Sequence, residues 1–271
     1  YASHTNLDNM LVDGVNTKIA QKLGLVNTEI LAPKNALLSK LSVFVPSSAA
    51  EAVRDALFKA GAGAIANYSE CSFSTSGIGS FKASDSANPY VGSKGVRHYE
   101  KEEKIEVVCL KHQQRKIIHA LGKAHPYETV AYDLIAMENQ YQDIGSGLVG
   151  ELSSSQDAQS FLRSLKKTFQ LKMLKHTALL GRPIKRVAVC GGSGSFLLIK
   201  AIAAKADVFI TADYKYHQYF DADNQLIIAD IGHFESEQYT IELFYELLTQ
   251  KFINFAFYCT EINTNPINYI K

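Results

Sequence analysis

Short continuous apolar runs punctuate the second half of the chain: Val187-Ala-Val-Cys190, Val208-Phe-Ile210 and Leu226-Ile-Ile-Ala229. Runs of this length, bounded by polar or glycine residues, suit strands buried on both faces. Between them the apolar spacing becomes helical. Helices are predicted over Asp157 to Phe169 and Phe196 to Ala204, with a short one over Tyr214 to Asp221. Another starts at His233, where Phe234, Tyr239, Ile241, Leu243, Phe244 and Leu247 recur on one face. Leu171 to Thr177 reads as a mixed strand, and Phe255 to Cys259 as a closing one. At the front, Leu7, Leu11, Val15, Ile19, Ala20 and Leu23 mark a helix stopping at Gly24. Strands alternating with helices predict an α/β fold with a largely parallel layered sheet.

The middle of the chain follows another pattern. Leu41 to Pro46 is a predicted strand, and Ser47 to Ala60 a helix capped by Ser47 or Ser48. Gly63 to Phe73 is a second strand, and the Ser- and Gly-rich Ser74 to Gly95 a long loop. Ile105 to Leu110, Gln113 to Gly122 and Val130 to Ile135 add strand, helix and strand. The order βαββαβ is that of a ferredoxin-like α+β unit. Pro33, Pro46 and Gly145-Ser-Gly-Leu-Val-Gly150 bracket it as hinges, so one domain spans 39–138 and the other 1–38 with 139–271.

Ligands of open α/β sheets sit beyond the carboxyl ends of the strands, which selects the loops to inspect. His233 and Glu237 lie at i and i+4 on the first turn after one such strand. A neutral imidazole and a carboxylate so placed suit a borderline divalent cation; the alternative is a helix-capping His233 with Glu237 in water. His4 and Asp8 repeat the spacing at another strand-to-helix transition, where Asp8 could instead favour the helix dipole. Gly191-Gly-Ser-Gly-Ser195 could cradle an anionic oxygen or be a tight turn. Thr211, Asp213, Lys215 and His217 cluster after the next strand, with His217 either a proton donor or a surface residue. Cys190 reads as core, and His125, before Pro126, as structural.

Composition narrows the classes. Of the 271 residues 46% are hydrophobic and 20% charged, with a formal net charge of +1, so the chain can build a core and carries no basic nucleic-acid footprint. The four cysteines are dispersed, which fits a reducing cytoplasm. No apolar run reaches the roughly 18 residues of a membrane span. The opening YASHTNLDN reads as though a strand had just ended, giving the expectation of a missing amino-terminal segment.

Five stretches together resemble the Nif-three-like dinuclear metal centre family, whose members are often labelled GTP cyclohydrolase I type 2 homologues. They are SHTNLDNMLVDGVNTKIAQKLGL at 3–25, AHPYETVAYDL at 124–134, RVAVCGGSGS at 186–195, ADVFITADYKYHQ at 206–218 and IADIGHFESE at 228–237. The resemblance implies an α/β metal-binding domain made from both ends of the chain, with a PII/CutA-like domain inserted between them. It implies two divalent ions (zinc, iron or manganese) held by Asp8, His233 and Glu237, with His4 and His217 lining the cleft as catalytic groups. The adjacent histidine pair that supplies the family's first ligands has no counterpart in this sequence. Also implied are a homohexameric ring, in which the aromatic segment Tyr245, Phe252, Phe255, Phe257 and Tyr258 is core or interface, and a small-molecule substrate. A metal-dependent hydrolase of a small phosphorylated or nucleotide-like compound is one expectation. The other is a non-catalytic metal-binding or regulatory protein whose inserted domain senses a small molecule.

Overall fold

A computed structural model of the chain describes residues 4–270, the side chain of Thr5 excepted. The strand end expected at Tyr1 lies outside the described residues. The chain forms two compact units, one of Tyr1–Lys34 with Gln142–Lys271, the other of Asn35–Tyr141. The first unit opens with α1 (Thr5–Asp8), α2 (Val15–Lys22) and β1 (Val26–Lys34). The second contains β2 (Leu38–Pro46), α3 (Ala50–Ala60), β3 (Ser72–Lys82), β4 (Arg97–Leu110), α4 (Gln114–Ala124) and β5 (Tyr132–Ala136). The first then resumes with β6 (Tyr141–Gln156), α5 (Ala158–Thr168), β7 (Lys175–His176), β8 (Ile184–Ser193), α6 (Leu198–Ala203), β9 (Val208–Ala212), β10 (Ile227–Asp230), α7 (His233–Glu237) and α8 (Thr240–Lys251).

In the first unit the strands form one sheet in the order β1-β6-β8-β9-β10-β7. β8, β9 and β10 run parallel, while β6 pairs antiparallel with β8, and β7 with β10. The sheet is therefore mixed rather than largely parallel. Parallel neighbours need a crossover, and the stretch from Ile184 to Asp230 supplies one between β8 and β9 and another between β9 and β10. Both faces of this centre are covered, which explains the unbroken apolar runs. Val187, Val189, Val208, Ile210 and Ile227 face α2, α5 and α8, while Ala188, Phe209 and Ile228 face α6 and Tyr214. The expected strand at Phe255 to Cys259 is absent, because the outer edge of β10 is already occupied by β7 through Ala229↔His176 and Asp230↔Lys175. The aromatic segment there is no core either: Phe255 is 70% and Tyr258 93% exposed.

The expected first helix is interrupted. Met10 bridges Ile144 and the Leu11 N–H donates to Asp143 O at 3.0 Å, so pairing with β6 wins over local helix between α1 and α2. Gly14 closes this loop against backbone, since a Cβ there would lie 2.2 Å from Met10 O. The glycines expected to form a hinge instead lie within β6. A Cβ on Gly145 would meet Ala32 O at 2.3 Å, so close approach to β1 is what they permit.

The second unit is a four-stranded antiparallel sheet, order β3-β4-β2-β5, built from β-α-β-β-α-β. Leu41, Val43, Val45, Ile105 and Val107 alternate onto one face and pack on Val53, Leu57, Ile117 and Leu121 of the two helices. Neither Ser47 nor Ser48 caps α3; the cap position is Ala49, whose N–H donates to Pro46 O at 2.8 Å in the preceding turn. The first part of the expected Ser74 to Gly95 loop is strand instead, paired with β4 from Ser72↔Val107 to Lys82↔Arg97. That ribbon is largely solvated on both faces, so no buried periodicity betrays it in the sequence.

Candidate functional site

The parallel strands β8, β9 and β10 end side by side, and the segments at the ends of β8 and β10 meet one cavity of about 200 Å³. His4, Asp8, Cys190, Gly192, His233 and Glu237 line it. The site is thus assembled from α1, the end of β8 and α7.

Local geometry explains each placement. Asp230, 2% exposed, ends β10 and accepts hydrogen bonds from the N–H groups of Tyr214 and Gly232, from the Tyr219 hydroxyl and from Lys175 Nζ. Gly232 then turns at φ +91, a left-handed conformation that favours glycine, and α7 begins at His233. Ser236 donates to His233 O at 2.7 Å and accepts from the Gly192 N–H at 2.8 Å, joining α7 to β8. Asn16 of α2 does the same for α1: its Nδ2 donates to Asp8 O and its Oδ1 accepts the Gly191 N–H, both at 2.8 Å. Both polar side chains are 1% exposed, and sequence reading gave neither a role. Their only signal in the sequence is a polar residue where a core-facing helix should be apolar.

These bonds also correct an expectation. The N–H groups of Gly191 and Gly192 are already spent on Asn16 and Ser236, so the glycine-rich stretch does not offer them to a phosphate. It serves close packing instead. The β8–β9 register breaks between Val189 and Ser193, and Gly192 adopts φ +64. A Cβ on it would stand 2.5 Å from Glu237 Oε1 and 3.2 Å from His233 Nε2.

The functional face of His233 is fixed by Asp213, whose Oδ2 lies 2.6 Å from Nδ1. Asp213 sits just beyond β9 with φ +59, a conformation uncommon for a non-glycine residue and more accessible to Asp than to most. Nε2 is left facing Glu237 Oε1 at 3.6 Å. The hydrogen bond to Asp213 raises the His233 pKa, against burial, with Glu237 and Asp8 adding to the rise. Burial raises Glu237, His233 counteracts it, and Asp8 pushes it further up. Asp8 is likewise raised by burial and partly restored by His4 and His233. Cys190 is pushed up to about 12, first by burial and then by the Asp8 and Glu237 charges, which leaves it an inert thiol of the cavity wall.

His4, Asp8, His233 and Glu237 are therefore brought to one cavity. His217 is not among its lining residues. It is exposed on the 3-10 turn Tyr216–Ala222, with its ring edge-on to Tyr216. Its neighbour Gln218 takes the inward direction, donating to Ser195 Oγ at 3.2 Å, and successive side chains of a 3-10 turn diverge by about 120°. Donor chemistry in the cavity, two carboxylates and an imidazole oriented by a third carboxylate, suits a borderline divalent cation. Among the described residues, however, no three His, Cys, Asp or Glu side chains close into a group able to hold a metal ion. His233 and Glu237 also border a second cavity of about 450 Å³, walled in part by Thr264, Asn265 and Ile267. No helix among the described residues is long and apolar enough to cross a membrane.

A profile of the family described as Duf34/NIF3 (NGG1p interacting factor 3) matches residues 1–266. The chain is 38% identical over 275 residues to the GTP cyclohydrolase 1 type 2 homolog of Halalkalibacterium halodurans, a match covering 100% of this chain and 74% of the relative. It is 36% identical over 280 residues to the protein of that name from Bacillus subtilis, again covering 100% and 74%. Among solved structures, a Bacillus cereus protein related to NIF3 superposes with a TM-score of 0.82 at 36% identity, covering 100% of this chain and 73% of that one.

Proposed function

Because the chain belongs to the Duf34/NIF3 family, we propose that its acidic cavity binds divalent cations and hydrolyses a small phosphorylated or nucleotide-like compound. The observation that carries this reading is the arrangement Asp213–His233–Glu237 with Asp8 beside it: an imidazole held by one carboxylate so that its other nitrogen faces a second. Metal-bound histidines are oriented in this way. The two raised carboxylates, Asp8 and Glu237, form a pair that a cation would relieve. Zinc, manganese or iron would be held by Asp8, His233 Nε2 and Glu237, and would supply a water of lowered pKa. Among the described residues these donors do not close a group around an ion. The chain's own contribution is positional. Asp213 keeps a proton on Nδ1 of His233, Gly192 keeps the approach clear of a side chain, and His4 at the rim is placed to carry a proton. The neighbouring cavity beside Thr264 and Ile267 has room for a small substrate.

A non-catalytic reading, in which the Asn35–Tyr141 unit senses a small molecule, is favoured by one specific feature, a cavity of about 380 Å³ within that unit. A homohexamer is the assembly we propose for either reading, and light scattering tests it. The two readings part in one experiment. Metal content of the purified protein is measured, followed by turnover of a panel of phosphoesters and nucleotides with added zinc, manganese or iron. Hydrolysis lost in Asp8→Ala supports the enzyme. Metal bound tightly without turnover supports the regulatory protein, and no metal uptake in any condition overturns both.

A further inference from the structure

The cavity of the Asn35–Tyr141 unit has a different chemistry from the first. Its walls are the rings of Phe44, Phe81, Tyr90 and Tyr127, and its polar groups are chiefly the carboxylates of Glu102 and Glu128. Tyr127 is central: its ring meets Phe81 edge-on at 6.0 Å and Tyr90 tilted at 6.3 Å. Its hydroxyl donates to Glu102 Oε1 at 3.0 Å. Burial, reinforced by the hydrogen bond to Glu102, raises the Tyr127 pKa, so the phenol keeps its proton and stays the donor in this bond.

Glu102 is placed there by the backbone. Its Oε2 lies where a Cβ on Gly79 would be, 2.0 Å away, so only a glycine in β3 lets this carboxylate lie across the strand. Several acids of the unit's sheet and helices have cations: Glu51 and Glu103 pair with Arg54, and Glu106 with Lys104. Glu102 and Glu128 make no such pair among the described residues. His125 does not neutralise Glu102, since burial lowers its pKa and its two nitrogens are bonded to Phe44 O and the Tyr127 N–H. Glu128 in turn accepts the Asn88 N–H at 3.0 Å, tying the β3–β4 connection over the cavity.

We propose that this aromatic cavity is a binding site for a small organic cation, an ammonium carrying an apolar body, held between the rings of Phe81, Tyr90 and Tyr127 with Glu102 as its counter-charge. Ring faces attract a cation and tolerate its methyl groups, and a carboxylate with no cationic partner among the described residues supplies the counter-charge. The same two carboxylates repel phosphates and nucleotides, so an anionic effector is excluded. A volume of about 380 Å³ takes a ligand of choline to arginine size. The inference gives a ligand class to the sensing role and does not depend on metal at the other cavity.

The test uses the full chain and two probes of nearly the same shape, choline and its uncharged analogue 3,3-dimethylbutan-1-ol, titrated by calorimetry without added metal. Choline is expected to bind about tenfold or more tightly than the neutral analogue. Glu102→Gln should remove most of that difference, and Tyr90→Ala, at a ring 59% exposed on the rim where folding is not at stake, should weaken choline severalfold. Equal binding of the two probes overturns the cation assignment while leaving a small-molecule pocket. Absence of choline binding, or choline binding untouched by both variants, overturns the site.

Discussion

Each unit withdraws carboxylates from bulk water, and the two do so in opposite surroundings. In the six-stranded unit Asp8 and Glu237 share a cavity with an imidazole whose far nitrogen is tied to Asp213. In the four-stranded unit Glu102 is held by a phenol among aromatic rings. Hard donors crowded together favour a small, highly charged ion that can lose its water to them. A single carboxylate among rings favours a cation that is already weakly hydrated. The contrast has a structural source. Strand ends of a parallel sheet gather loops from distant parts of the sequence, so acids far apart in the chain converge there. The four-stranded unit instead assembles its cavity from strands β2, β3 and β4 and the segment before β5, all within one continuous stretch of chain.

The comparison rests on each unit holding its own core, and the largest expected effects test that. Phe209 and Leu57 are both fully buried, one in each unit. Phe209→Ala should cost about 3–5 kcal/mol and Leu57→Ala about 2–5 kcal/mol. Followed by hydrogen exchange, each loss should appear in the amides of the mutated unit and spare the other. Uniform loss of protection across both units by either variant would show a single cooperative core and remove the basis for treating the cavities separately.

A smaller effect sharpens the contrast at the sites. Asp213 touches the proposed metal only through His233, so Asp213→Asn should reduce zinc affinity by about 10–100-fold. Choline binding in the other unit should be unchanged. A role confined to backbone geometry predicts something else: Asp213→Gly, which accepts φ +59 readily, would then retain zinc affinity, and its loss there identifies the carboxylate as the active feature.

Much of this was legible beforehand, unevenly. The buried strands β8, β9 and β10 stand out as unbroken apolar runs, and the strand-end rule led directly to His233 and Glu237. The βαββαβ order of the middle unit was also readable, though its longest ribbon was not. β3 reads SFSTSGIGSFK and is exposed nearly throughout, so its pairing with β4 rests on backbone bonds that leave no hydrophobic signature. β1 escaped for a related reason, with only Ile30 and Leu31 of its residues buried. At the site, His217 reads as a candidate although it does not line the cavity, because spacing alone cannot tell the inward residue of a 3-10 turn from its neighbour. Asn16 and Ser236 were missed because their work is to accept glycine N–H groups from far away in sequence, and such partners appear only in three dimensions. The inserted cavity was invisible for the same reason: Phe44, Phe81, Glu102 and Tyr127 belong to four separate segments.

The smallest expected effect is a pH dependence confined to the four-stranded unit. His125 is 6% exposed and neutral by construction: Nδ1 accepts the Tyr127 N–H at 3.1 Å, and Nε2 donates to Phe44 O at 2.9 Å. Burial lowers its pKa, with the bond to Phe44 O and the nearby Glu102 charge opposing. Protonation would turn Nδ1 into a donor facing another donor. The unfolded chain, with an ordinary histidine pKa of about 6.5, therefore binds more protons than the folded one as pH falls below that value. Stability from this residue is fully present above about pH 6.5 and declines towards the lower folded pKa, a positive slope of stability with pH. Denaturation midpoints taken from about pH 7.5 to about pH 5.5 should fall further in the native chain than in His125→Gln, a side chain without a proton to gain in that window. The Phe169 and Leu165 region of the other unit, followed by the same exchange measurement, provides the reference. Equal slopes for the two proteins would mean that the buried imidazole does not set the acid limit of this unit.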